Sequence, residues 1–224
     1  PTSAPMHARR LLPQPSSPRP RGHVIDAADR GSGAAWSAAI RVEIQDQRAD
    51  STPLPVEAHR LAELLVATLN DAGVPGPARV DLTLVDPDTI AVLNAEHLGG
   101  EGPTDVLSFP MDPFPDDSVS GDGWPDTSAE AAAESDTAPL RMVGDVVIAP
   151  EVAASQADGH AGSPADELAL LVVHAGLHLV GHDHAEAEEA AAMVAKERAL
   201  LAGWWGPLAA DPWAAGAIET EHRR

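Results

Sequence analysis

The stretch SPADELALLVVHAGLHLVGHDH, residues 163–184, combines the longest apolar run of the chain with four of its ten histidines. Ser163 is a typical helix N-cap, and Pro164 after it is favoured in a first helical turn. The two acidic residues that follow place negative charge near the positive end of the helix dipole. The stretch therefore predicts a helix that begins after Ser163 and ends near Gly181.

The spacing of these histidines indicates a metal site. His174 and His178 are four positions apart, which on a helix places both imidazoles on one face. A chain reversal at Gly181 would let His184 supply a third nitrogen. Three His ligands leave the fourth position of a tetrahedral zinc open, which is typical of a catalytic rather than a structural site. Because the chain contains no cysteine, nitrogen and oxygen atoms must hold any metal.

One class of zinc enzyme is disfavoured by the same residues. The zinc-protease pattern H-E-x-x-H is absent, because Ala175 stands where its catalytic Glu would be. A zincin-like peptidase, or a hydrolase of another substrate, is therefore a weaker alternative. Any general base must come from elsewhere in the chain.

The flanking sequence predicts an α+β fold. Alternating or continuous apolar residues predict strands near residues 38–47, 78–86, 104–112 and 144–152. Helical spacing and capping residues predict helices near residues 54–73, 86–100, 163–181 and 185–203, the last one stopped by Gly203. This order favours a small mixed sheet covered by helices.

Composition divides the chain into one domain and two tails. Residues 1–35 are rich in Pro, Ser, Gly and Arg, so we expect a disordered N-terminal tail, with a basic arm that contacts RNA as the alternative. Residues 36–205 form the expected single domain. Within it, residues 111–140 hold eight acidic and no basic residues, which is typical of a mobile insertion. Residues 206–224 are expected to be a C-terminal tail.

Charge and hydropathy limit the possible partners. With 35 acidic and 14 basic residues the net charge is −21, which argues against strong binding of free nucleic acid. The longest apolar run is shorter than the roughly 20 residues that a membrane helix needs, and the N-terminal residues lack the apolar core of a signal peptide. We therefore expect a cytoplasmic protein without a membrane partner.

Three segments resemble one known family. HAGLHLVGHDH (174–184) resembles H-G-x-L-H-L-x-G-Y-D-H, the signature of the YbeY family of bacterial metal-dependent endoribonucleases, which act as rRNA maturation factors. VLNAEHLGGEGPTDVLSFPMD (92–112) is similar to that family's L-N-x-x-x-R…P-T-D-V-L-S-F-P segment. GDVVIAPEVAASQA (144–157) is similar to its G-D-I-x-I-x-x-x-x-A block. The resemblance covers roughly residues 40–203.

The resemblance implies a fold, an activity and a site. It implies a zincin-like metallohydrolase fold with the metal motif on a central helix, and hydrolysis of single-stranded RNA in 16S rRNA 3′-end maturation and ribosome quality control. It implies one Zn2+ per chain held by His174, His178 and His184, with Asp183 orienting a ligand or the loop. The segment expected to form the strand beside the metal contains Thr104, Asp105, Ser108 and Phe109. Given the negative charge, the ribosomal RNA substrate would be delivered by the ribosome or by small-subunit assembly proteins.

The sequence departs from the family pattern at three positions. The family commonly has an Arg where this chain has Leu98, and Arg141 is a candidate substitute for that cation. This departure keeps open a ribosome-assembly binding factor with a structural zinc and weak or no catalysis. Ala175 replaces the usual Gly, which a helix tolerates. His182 replaces the usual Tyr, and we interpret it as an exposed His in preference to an alternative ligand.

Three tryptophans follow the last predicted helix. Trp204, Trp205 and Trp213 could stack on RNA bases. Packing over the core or in an interface is the favoured interpretation.

Overall fold

The structure, a computed structural model, describes residues 23–26, 40–50, 52–111, 141–184 and 186–214. Its strands are β1 (His23–Asp26), β2 (Ile40–Asp46), β3 (Ala78–Leu84), β4 (Val106–Pro110) and β5 (Arg141–Ile148). Its helices are α1 (Ala58–Asp71), α2 (Pro87–His97), α3 (Pro150–Gln156), α4 (Pro164–Leu179) and α5 (Ala187–Trp204), with a 3-10 turn at Ala157–Gly159. None of the helices in these ranges is both long and apolar enough to cross a membrane.

The strands form one mixed sheet in the order β1-β2-β3-β5-β4. β2 pairs in parallel with β3, and β3 in parallel with β5, whereas β1 and β4 pair antiparallel at the two edges. Every second residue of β3, from Ala78 to Leu84, is buried, as expected when one face of a strand packs on the core. The predicted α+β fold with a small mixed sheet is confirmed.

The main core lies between one face of the sheet and the helices α1 and α4. α4 contacts β4, β5, α1, α3 and α5, which makes it the central helix of the domain. It passes α1 so closely that a Cβ added at Gly176 would lie 2.9 Å from Thr68 Cγ2 and 3.0 Å from Leu65 Cδ1. The histidine motif is therefore carried by a helix most of whose residues are buried, which limits the movement of its side chains.

A smaller apolar cluster covers the opposite face of the sheet. Leu107 and Val147 are register partners in β4 and β5, and both side chains belong to this second cluster. Ile90 of α2 packs there and is fully buried. Because side chains alternate across a strand, Val146 and Ile148 face the main core instead. α2 is thus fixed against β4, the edge strand that lies beside α4.

The helix ends mostly follow the sequence signals. Ser163 caps α4, and its hydroxyl oxygen accepts a hydrogen bond from the Asp166 N–H at 3.1 Å. Gly73, with φ +75°, ends α1 as predicted. Gly203 does not stop α5, which continues to Trp204 because a helix interior tolerates a single glycine.

Two stretches assigned to the tails belong to the structure. β1 falls within residues 1–35, where we expected disorder, and its backbone pairs with β2. The remainder of that tail and residues 112–140 of the insertion lie outside the described residues. Residues 206–214, expected in a C-terminal tail, contribute Leu208 and Trp213 to packing on the main core. Composition alone did not predict that this segment packs on the domain, because its contacts are made with α4 and α5 and not within the segment.

Candidate metal centre

His174 and His178 face each other on α4. Their Nε2 atoms are 3.0 Å apart, and their ring centroids lie 4.5 Å apart in an edge-to-face arrangement. Both side chains are half-buried near the C-terminal end of the helix. The four-residue spacing therefore produces the shared face that the sequence predicted.

His184 joins this pair because the chain reverses after α4. Gly181 adopts φ +87°, which favours glycine, and the His182 N–H donates to the Leu177 carbonyl at 3.0 Å. The reversal places the His184 ring 5.0 Å from the His178 ring and 5.6 Å from the His174 ring. One nitrogen from each of the three rings lies within 4.8 Å of the others, so this group can hold a metal ion.

The Nδ1 atoms of the helical pair are already engaged. His174 Nδ1 lies 2.8 Å from Glu197 Oε1, and His178 Nδ1 lies 2.8 Å from the His182 carbonyl oxygen. Both oxygens accept, so each imidazole carries its proton on Nδ1 and presents the lone pair of Nε2. This is the tautomer that a metal ligand needs, and an outer partner of this kind is a usual feature of metal-binding histidines.

The environment also keeps His178 neutral. Burial first, and then the neighbouring His174 and His184 rings, lower its pKa to about 4, against smaller opposing effects of the His182 carbonyl and Asp183. A neutral imidazole at neutral pH needs no deprotonation before it binds a metal.

Glu197 is a site residue that the sequence reading missed. It is 3% exposed, and its Oε2 accepts a hydrogen bond from Trp213 Nε1 at 2.8 Å while Oε1 accepts from His174. A signal was present: Met193, Glu197, Leu200 and Leu201 form the buried face of α5. An acid on an apolar helical face needs a buried partner.

Asp183 lies in the loop before His184, and two of the four residues expected to form the strand beside the metal lie in β4. Asp183 Oδ1 accepts from the His184 N–H at 2.7 Å, so this carboxylate fixes the loop. Ser108 and Phe109 lie in β4, the strand that packs against α4, whereas Thr104 and Asp105 precede it. Asp105 is buried, and its carboxylate accepts from the Val106 N–H at 2.8 Å.

The remaining predicted positions lie outside the histidine group. Leu98 is the C-cap of α2 and is 69% exposed. Arg141 is the first residue of β5, where its N–H donates to the Pro77 carbonyl at 3.0 Å. Ala175, which stands where zinc proteases have their catalytic Glu, is 1% exposed and packs in the core. His182 is half-buried and contributes its carbonyl, and its ring is not one of the three grouped imidazoles.

Comparison with known proteins places the chain in a family. The sequence model of the family described as "Endoribonuclease YbeY" matches residues 43–204, well over half of the chain. The chain belongs to the YbeY family. The zincin-like fold expected of that family, with the motif on a central helix, is the one observed. The residues after Trp204 lie beyond the matched region.

Individual proteins of the YbeY family are similar to this chain over most of their own lengths. A protein named Endoribonuclease YbeY from Salinispora tropica is 48% identical over 136 residues, covering 61% of this chain and 80% of the relative. Those from Corynebacterium glutamicum and Thermobifida fusca are each 38% identical, over 74% and 70% of this chain and 82% and 91% of their own lengths. A solution structure from Thermotoga maritima is 24% identical with a TM-score of 0.42, covering 75% of this chain and 89% of that one.

Proposed function

We propose that this YbeY-family chain is a zinc-dependent endoribonuclease that hydrolyses single-stranded RNA in 16S rRNA 3′-end maturation and in ribosome quality control. We place this activity in the cytoplasm, where ribosomes are matured. The observation that carries the proposal is the convergence of three imidazoles, two of which have their Nδ1 protons held by other groups. The family match supplies the class of reaction.

The donor set suits zinc. Imidazole nitrogen is a preferred zinc ligand, and three protein ligands leave a position for substrate or water. We therefore assign one Zn2+ per chain to His174, His178 and His184. When bound, the metal supplies a Lewis acid that polarises the phosphodiester under attack.

The protein groups around the histidines have distinct tasks. Glu197 and the His182 carbonyl hold the Nδ1 protons and so keep both helical imidazoles in one tautomer and one orientation. Asp183 fixes the backbone at His184 and is in this sense a supporting residue of the site. The three rings are half-buried, so part of each faces solvent, and we assign that side to the approach of the RNA strand.

Substrate delivery follows from the charge. At a net charge of −21 the chain gains little from general attraction to phosphates, so we assign delivery of ribosomal RNA to the ribosome or to small-subunit assembly proteins. Arg141 is the proposed substitute for the family cation at Leu98. Tight binding of free RNA with a steep salt dependence would contradict the delivery hypothesis.

The decisive experiment compares the wild-type protein with His178→Ala. Elemental analysis should find about one zinc per wild-type chain, and the wild-type protein should cleave a single-stranded RNA that spans the 16S rRNA 3′ end. The variant should lose zinc and cleavage together while remaining folded. Products ending in a 2′,3′-cyclic phosphate would identify the RNA 2′-hydroxyl as the nucleophile, whereas their absence would favour water.

A second variant tests the departure at Leu98. If the wild-type protein binds zinc but does not cleave RNA, Leu98→Arg should restore cleavage, because this exposed position can accept a long side chain without repacking. Zinc binding without cleavage in both proteins would favour the assembly-factor alternative.

A further inference from the structure

The residues after α5 form a segment that is fastened to the domain at several points. We call residues 205–213 the C-terminal strap. Trp205 Nε1 donates to Asp166 Oδ1 at 2.7 Å, and the Ala209 N–H donates to Asp166 Oδ2 at 3.1 Å. Arg198 Nη2 donates to Asp211 Oδ1 at 2.9 Å. The strap therefore follows a defined path from the end of α5 across the N-terminal end of α4.

The strap ends at Trp213, whose side chain reaches the carboxylate next to the metal centre. Its indole N–H donates to Glu197 Oε2 at 2.8 Å. Its ring packs on the main core, and the Arg198 guanidinium carbon lies 4.4 Å from the ring centroid. The indole is thus held both by packing and by a cation–π contact.

Glu197 links Trp213 to a histidine of the site. One oxygen of this buried carboxylate accepts from the indole, and the other accepts from His174 Nδ1. A carboxylate with both oxygens engaged cannot rotate freely about its last torsion. Removing the indole N–H would leave Oε2 buried without this donor and would allow the group to turn toward another one. The orientation of His174 therefore depends on Trp213.

We propose that Trp213 is a positioning residue of the metal centre, acting through Glu197 on His174, and that the C-terminal strap exists in part to deliver it. This inference rests on the proposed metal site. It also means that the functional unit extends beyond residues 43–204, the part of the chain that matches the family. Outer partners of metal ligands typically change metal affinity by about 10–100-fold, and Trp213 is one hydrogen bond further away. We expect an effect of about 10-fold for its loss.

The test uses Trp213→Phe in the full chain, since phenylalanine keeps an aromatic ring beneath Arg198 and has no N–H donor. The smaller ring also removes some packing, a loss that the control variant shares. Zinc affinity, measured by competition with a chelator, should fall about 10-fold. Histidine-ring NMR of the zinc-free protein provides a second measurement. The His174 Nδ1–H resonance should shift or broaden by faster solvent exchange, while that of His178, held by the His182 carbonyl, should stay unchanged.

The matched control is Trp205→Phe, which removes an indole N–H from the same strap but at Asp166. It should leave zinc affinity and the His174 resonance unchanged. Equal effects of the two variants would overturn the specific role of Trp213 and indicate only that the strap must be docked. An unchanged His174 resonance in Trp213→Phe would also overturn the inference. Because that resonance is read without metal, it tests Trp213 even if the wild-type protein binds no zinc, a result that would contradict the proposed function alone.

Discussion

Two pairs of a buried glutamate with a half-buried histidine lie toward opposite ends of α4, and their geometry is nearly the same. Near the N-terminal end, Glu167 Oε1 lies 2.8 Å from His160 Nδ1. Toward the C-terminal end, Glu197 Oε1 lies 2.8 Å from His174 Nδ1. The two glutamates are 0% and 3% exposed. A glutamate–histidine pair is therefore not by itself the mark of a site in this molecule.

The difference lies in what else each pair contacts. The other oxygen of Glu167 accepts from the backbone N–H of Ala161, which is fully buried. The other oxygen of Glu197 accepts from a side chain of the C-terminal strap, and His174 Nε2 faces His178 Nε2. The first pair therefore joins α4 to the segment that precedes it, at His160 and Ala161. The second pair orients the His174 imidazole toward the other two imidazoles of the site.

The largest expected effect is the loss of stability in Glu167→Ala. This change leaves the Ala161 N–H without its acceptor in a buried place and removes the acceptor of His160, which together should cost about 3 kcal/mol or more in the free energy of unfolding. Denaturant titration measures this loss. Zinc bound per folded chain should stay unchanged, and a loss of zinc at constant stability would show that the two pairs are not distinct in role.

For Glu197→Gln we expect zinc affinity to fall more than stability. The amide keeps an oxygen for one donor but cannot satisfy both His174 and Trp213, so zinc affinity should fall by about 10–100-fold. Its effect on unfolding should be smaller than that of Glu167→Ala, because both donors are half-buried side chains that water can reach. Chelator competition gives the affinity. Glu188→Gln, an exposed change on the same helix, is the matched control and should have no effect.

The third histidine, His184, is tested through Asp183, and the expected loss of zinc affinity is smaller. Asp183→Ala removes the acceptor for the His184 N–H and should loosen the loop that brings this ring to the helical pair. Because the loop is exposed, we expect a loss of about 1 kcal/mol in zinc-binding free energy, roughly a fivefold weaker affinity. Isothermal titration would show it. Asp183→Asn, which keeps an acceptor oxygen, should bind zinc nearly as tightly as the wild-type protein, and an equal loss in both variants would argue for charge instead of loop geometry.

The local part of the site was readable from the sequence, and so was most of the fold. Helical spacing placed His174 and His178 together, and Gly181 explained how His184 returns, because each signal depends on residues close in the chain. The same holds for the Ser163 cap and for the alternation in β3. Local periodicity determines these features before any tertiary packing is known.

The outer partners could not be predicted in this way. Glu197 is 23 positions from His174, and the partner of His178 is a backbone carbonyl, which no residue type reveals. Asp86 shows the same limit at a helix end. It is the N-cap residue of α2, but its side chain makes no capping hydrogen bond and instead accepts from the Ala49 N–H at 2.9 Å. These contacts follow from how the elements pack, which a reading of single segments does not contain.

The smallest effect concerns the contact that joins the C-terminal strap to the N-terminal end of α4. Burial raises the pKa of Asp166, but hydrogen bonds from the Trp205 indole, the Ser163 hydroxyl and the Ala209 N–H together hold it below its usual value of 3.8. A carboxyl whose pKa is lower in the folded protein contributes stability above its unfolded pKa. That contribution is lost as the pH falls through the folded value.

Docking of the strap should therefore weaken only below about pH 4, well under the range in which zinc affinity is measured. The unfolding temperature of the wild-type protein should fall more steeply than that of Asp166→Asn as the pH is lowered from 5 to about 2, since the amide does not titrate. Parallel curves would show that the folded state does not favour the ionised form of Asp166, so that its charge adds nothing to docking of the strap. The strap would then be held mainly by its packing and by Arg198, so that Trp213 would reach Glu197 without help from the other end of α4.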